Sequence, residues 1–128
     1  MSVRWYSVVI DCHDVGSQAR WWAAALGWDI IYEADDEVVV ASARMLGQPS
    51  PERGPGLVFV PVPEGKQLKN RLHIDLAPPG GGDQETEVHR LVQLGATHAH
   101  VGQDNDKVTW VVLADPEGNE FCVLSARD

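Results

Sequence analysis

The feature that most constrains this chain is a repeated order of elements. Each half runs strand, helix closed by Leu-Gly, then three strands. In the first half, Val3 to Cys12 is expected to be extended, with Val8, Ile10 and Cys12 on one face and Ser7, Val9 and Asp11 on the other. A helix follows over Gln18 to Leu26, capped by Asp14 or Ser17 and stopped by Gly27. Trp28 to Tyr32 and Glu37 to Ser42 read as strands, Gln48 to Gly56 as a loop rich in Pro and Gly, and Leu57 to Val62 as the fourth strand. Glu64 to Lys69 is the expected linker. In the second half, Arg71 to Ala77 reads as a strand and Asp83 as the cap of a helix with Val88, Leu91 and Val92 on its apolar face, ending at Leu94-Gly95. His98 to Val101, Val108 to Leu113 and Glu120 to Leu124 are the remaining strands, and Asp115-Pro116-Glu117-Gly118-Asn119 forms a turn before the last. The repeat is one of pattern rather than residue identity.

A module of this kind has one helix for two sheet faces, so its second face must meet a partner. The expected fold class is therefore α+β: two βαβββ modules, about 1–63 and about 70–128, pairing their sheets around a central cavity within a single domain over 1–128. That cavity is where a ligand is expected. A formal charge of −9 removes the electrostatic term behind non-specific nucleic-acid binding. No apolar run approaches the roughly 20 residues that cross a bilayer, and the Met1-Ser2-Val3-Arg4-Trp5-Tyr6 start lacks a signal-peptide pattern. These features lead us to expect a cytoplasmic protein with no nucleic-acid or membrane partner. Cys12 and Cys122, inside apolar runs, read as buried and reduced. Trp21 and Trp22 are adjacent, so one is expected in the core and the other at an interface.

Ser7-Val8-Val9-Ile10-Asp11-Cys12-His13-Asp14, followed by Trp21-Trp22 and Leu26-Gly27-Trp28, resembles the opening of a glyoxalase-like domain. Lys69-Asn70-Arg71-Leu72-His73-Ile74-Asp75-Leu76 is similar to the start of that family's second module, and Leu113 to Leu124, with its Asp-Pro-Glu-Gly-Asn-Glu run, to the close. The resemblance covers essentially the whole chain and points to the glyoxalase/bleomycin-resistance, or vicinal oxygen chelate, superfamily. It implies metal-assisted chemistry, in which His and Glu hold a divalent ion that chelates two adjacent oxygens of a substrate. It also implies a small-molecule ligand, and dimers are common among the superfamily's resistance proteins, so a homodimer is expected.

On that resemblance His73 and Glu120 fall at metal-ligand positions, with Glu120 also the catalytic candidate. The residue types suit Zn, Ni, Fe, Co or Mn without choosing among them, and no nucleotide cofactor is indicated. The first module offers less: the expected ligands fall near Ser7 or Val9 and near Val58 to Val60, leaving Asp11 as a substitute. Arg71 and Asp75 share the face of His73 and, with Asp11, Trp28 and Trp110, are candidates to contact substrate. His98 and His100 share a strand face, while His13 and His89 read as solvated. Three functions follow: a metal-dependent lyase, isomerase or dioxygenase; a metal-free protein that binds a small molecule such as a drug; or a domain whose pocket has lost its chemistry and whose role is association.

Overall fold

A computed structural model describes residues 2–102 and 108–127. The chain divides into two compact units, Met1–Gly65 and Lys66–Asp128, and each carries one four-stranded sheet.

In the N-terminal unit the elements are β1 (Ser7–Cys12), α1 (Val15–Leu26), β2 (Asp29–Ala34), β3 (Glu37–Ala41), α2 (Ala43–Leu46) and β4 (Gly56–Pro61). The strand order is β1-β4-β3-β2, with β1 parallel to β4 and the other pairs antiparallel. Alternation sets the faces. Val38 lies opposite Phe59 and Val40 opposite Leu57, and all four are buried, whereas Val9 and Asp11 are exposed. α1 packs on β3, β2 and β4. Asp14 caps it by accepting from the Ser17 N–H at 3.1 Å, and Gly27 closes it at φ 66°, where a Cβ would be strained.

Both Trp21 and Trp22 are buried, against the expectation that only one would be. Their rings meet edge to face with centroids 5.1 Å apart and planes at 81°. α1 buries Val15, Gln18, Ala19, Trp21, Trp22 and Ala25, a stripe wide enough to take two neighbouring indoles. The Gln48 to Gly56 stretch is also more ordered than a loop. α2 precedes it, capped by the Ser42 hydroxyl, and a 3-10 turn spans Ser50–Glu52.

The C-terminal unit comprises β5 (Ile74–Leu76), α3 (Gln84–Leu94), β6 (Thr97–His98), β7 (Val111–Ala114) and β8 (Glu120–Val123). Its order, β5-β8-β7-β6, repeats that of the first unit, again with the first strand parallel to the last. Leu91, Leu113, Phe121 and Val123 form its buried centre. Val88 and Val92 are only half-buried, so α3 leans on the sheet chiefly through Leu91. Asp83 caps α3, its carboxylate accepting from the Thr86 N–H at 2.8 Å and the Thr86 hydroxyl at 2.9 Å. Those bonds, the backbone one first, hold its carboxyl below the ordinary value.

Several strands are shorter than the sequence suggested: in the N-terminal unit β1 begins at Ser7 rather than Val3, and in the C-terminal unit β5, β6 and β7 are cut most. β6 ends at His98, so His100 lies outside any strand, and β7 begins only at Val111. β5 covers Ile74–Leu76 rather than Arg71 to Ala77. Leu72, placed within that strand by the sequence, is 88% exposed. The reason lies upstream, where Asn70 gives its N–H and side-chain amide to Glu120 instead of to a strand partner.

Candidate functional site

The turn before β8 determines where the site begins. The buried Asp115 carboxylate accepts from the N–H groups of Glu117 at 2.9 Å and Asn119 at 3.0 Å. Gly118 sits at φ 89°, so Glu120 emerges as the first residue of β8 in a defined register. From there the period of two sorts the side chains. Asp75 lies opposite Cys122, and Ile74 opposite Phe121, while Val112 pairs with Cys122 and Leu113 with Phe121. Asp75, Val112, Glu120 and Cys122 therefore share one face. That face lines a pocket of about 350 Å³ together with Lys69, His73 and Trp110.

Two polar clusters meet there. In the first, His73 Nε2 lies 3.1 Å from Asp75 Oδ1, with the two side chains about half exposed. The Cys122 thiol faces the same carboxylate. Burial first, then the charge and hydrogen bond of Asp75, push this thiol above its ordinary value of 9.0, and Lys69 opposes them. Each of the three residues offers a ligating atom, and these atoms lie within 4.8 Å of one another.

The second cluster surrounds Glu120. Its Oε2 is 2.9 Å from the Lys66 ammonium, with both side chains largely shielded, and its oxygens accept from the Asn70 N–H at 3.3 and 3.4 Å. Burial disfavours the charge. The Lys66 hydrogen bond and charge and the N–H groups of Glu120 and Asn70 together outweigh it, holding the carboxyl below its ordinary value of 4.5. A depressed carboxyl stabilises the fold above its unfolded value and loses that contribution as pH falls through the folded one. Lys66→Met is thus expected to cost about 1–2 kcal/mol at neutral pH and to flatten the acid limb of a stability–pH curve below pH 4.5. Urea melts at stepped pH check this; an unchanged acid limb would show that the pair contributes nothing.

The expected site residues therefore fall into distinct places. His73, Asp75, Trp110 and Glu120 line one pocket, but Glu120 stands outside the close His73–Asp75–Cys122 group. Arg71 is exposed and does not line that pocket. Asp11 lies exposed on β1, and Trp28 follows the α1 cap half-buried, both in the N-terminal unit. Lys69, taken as linker, lines that pocket, as does Cys122, while Lys66, also taken as linker, and Asn70 bond to Glu120. Cys122 was legible in principle, since it stands two residues beyond Glu120 and period two puts both on one face.

Two βαβββ units with the same strand order define the glyoxalase class of α+β fold. Residues 7–124 match the model of the Glyoxalase-like domain, and the chain belongs to that family, within the vicinal oxygen chelate superfamily. No curated protein matches the sequence. Among solved structures, the genomically encoded fosfomycin resistance protein FosX from Listeria monocytogenes, complexed with Mn(II) and a sulfate ion, is similar at TM-score 0.71 and 12% identity over 98% of this chain and 92% of its own. A glyoxalase-related enzyme from Fulvimarina pelagi gives 0.62 and 12%, over 94% and 86%. The oxidase ChaP-H2 gives 0.60 and 18%, over 98% and 94%. At these identities the likeness is one of fold. Among the described residues, no helix is long and apolar enough to cross a membrane.

Proposed function

We propose that the chain binds a small oxygen-bearing molecule in the C-terminal pocket and acts on it with the help of a divalent metal at His73, as a lyase, isomerase or dioxygenase. The observation that carries this reading is the convergence of imidazole, carboxylate and thiol on the wall of a pocket large enough for a small ligand. The donor chemistry fits an ion. The His73–Asp75 separation of 3.1 Å suits two adjacent ligands of one four-coordinate centre, whose metal–ligand bonds run at about 2.0–2.3 Å. A bound ion would supply Lewis acidity toward a ligand oxygen.

The remaining groups have their own tasks. Trp110, 39% exposed, offers an aromatic wall for an apolar or planar ligand. The Lys69 ammonium provides positive charge beside the pocket for an anionic group on it. Phe121, Cys122 and Val112 make the floor dry, which strengthens each polar contact above it. Fold likeness to a fosfomycin resistance protein holding Mn(II) supports the same reading.

A metal-free binding protein is the second reading. It is favoured by Glu120, whose carboxylate already has Lys66 and Asn70 as partners. Ligand screening by thermal shift separates the two. Metal-assisted binding predicts hits among vicinal dioxygen compounds such as catechols and 2-hydroxy acids that vanish on chelation and weaken at least about tenfold in Trp110→Ala, given the 1.4 kcal/mol that corresponds to a factor of ten. Hits indifferent to chelator would favour the metal-free protein.

A further inference from the structure

We propose that the ion's protein ligands are His73, Asp75 and the Cys122 thiolate, and that Glu120 is not among them. The inference rests on the reading of the pocket as a metal site and specifies its donor set and hence its metal class. Three observations carry it. Asp75 and Cys122 are direct register partners on the parallel pair β5–β8, so their side chains rise side by side from neighbouring strands. His73 is two residues before Asp75, and the ligating atoms of all three lie within 4.8 Å of one another, a group that closes around one ion with small side-chain shifts. Glu120 is engaged elsewhere, because its Oε2 already pairs with Lys66 Nζ at 2.9 Å and its oxygens accept from the Asn70 N–H. A divalent cation brought to the same carboxylate would meet strong repulsion from that ammonium.

The burial pattern is consistent with an open site. Cys122 is buried beneath, while His73 and Asp75 are half exposed above. The ion would rest on the sulfur, with its outer face toward the pocket, and a three-donor set leaves a position for a ligand oxygen. Binding transfers the thiol proton to solvent as the sulfur–metal bond forms. A sulfur, nitrogen and oxygen donor set favours Zn²⁺ or Co²⁺ over Mn²⁺, whose preferred ligands are all oxygen or oxygen with imidazole.

Cobalt(II) titration of the full chain tests this, with the metal alone as probe. The expected result is one equivalent bound, with a thiolate-to-cobalt charge-transfer band in the near ultraviolet and Zn²⁺ displacing the cobalt. Glu120→Gln should keep the band, and Cys122→Ser should lose it while circular dichroism reports an intact fold. The wild-type spectrum decides the matter even if a variant fails to fold. Cobalt bound without that band, or a band abolished in a folded Glu120→Gln variant, would overturn the donor set and leave the metal reading standing. If no cobalt binds, the metal reading falls and the donor set falls with it.

Discussion

Phe121→Ala is expected to remove about 3–5 kcal/mol of stability, the largest effect of any single change in the C-terminal unit. Phe121 is 1% exposed, lies between Ile74 on β5 and Leu113 on β7, and sits with Leu91 and Val123 in the centre of that unit. Truncation removes apolar contact and leaves a cavity that strands paired on both sides cannot collapse to fill. Domains of this size are stable by only about 5–15 kcal/mol, so the loss is a large fraction of the whole. A thermal melt followed by far-ultraviolet circular dichroism should shift down by more than about 10 °C. Because Phe121 stands between Glu120 and Cys122, the variant should also lose ligand binding at temperatures where it still folds. A shift under about 2 °C would mean that the unit's core lies elsewhere.

His73→Ala has the opposite profile. Its side chain is about half exposed and packs little, so stability in chelator should change by no more than about 0.5 kcal/mol. Metal affinity should fall by well over about 100-fold, since even groups that merely orient a ligand are worth 10–100-fold. A variant that is destabilised yet still retains metal would identify His73 as a packing residue and the His73–Asp75 pair as a structural hydrogen bond. Isothermal titration with Zn²⁺ on wild type and variant supplies the affinity, and urea melts in chelator supply the stability.

The architecture was legible because it is written in local signals. Asp14 and Asp83 cap their helices by the bonds their positions imply, and Gly27 and Gly118 occupy the positive-φ positions that end α1 and shape the last turn. Alternation in β1 and β4 sorted the buried side chains from the more accessible ones, as Cys12 against Val9 and Phe59 against half-buried Val58 show, whereas in β8 Phe121, Cys122 and Val123 are all buried. The site was legible only in part. His73, Asp75, Trp110 and Glu120 fall together in one pocket, but the partners that give each its role are set by tertiary contacts. Lys66 and Glu120 are far apart in sequence and meet only when the segment before β5 folds back on β8. No periodicity encodes that return, which is also why Arg71 and Leu72 were expected in a strand that starts after them. The paired burial of Trp21 and Trp22 escaped for a related reason. The width of a helix's buried stripe depends on what covers it, not on the helix's own sequence.

The most direct test of the metal reading is the metal content of the untagged protein, measured by mass spectrometry alongside thermal melts with added Zn²⁺, Co²⁺, Ni²⁺, Fe²⁺ and Mn²⁺, with and without chelator. The expected result is near-stoichiometric metal and an upward shift with Zn²⁺ or Co²⁺, corresponding to about 2.7 kcal/mol when free metal exceeds Kd a hundredfold. The shift should be absent in His73→Ala and reversed by chelator. Protein that purifies without metal, and whose melt no divalent ion moves, would contradict the metal reading and leave the pocket around Trp110 and Lys69 as a metal-free binding site.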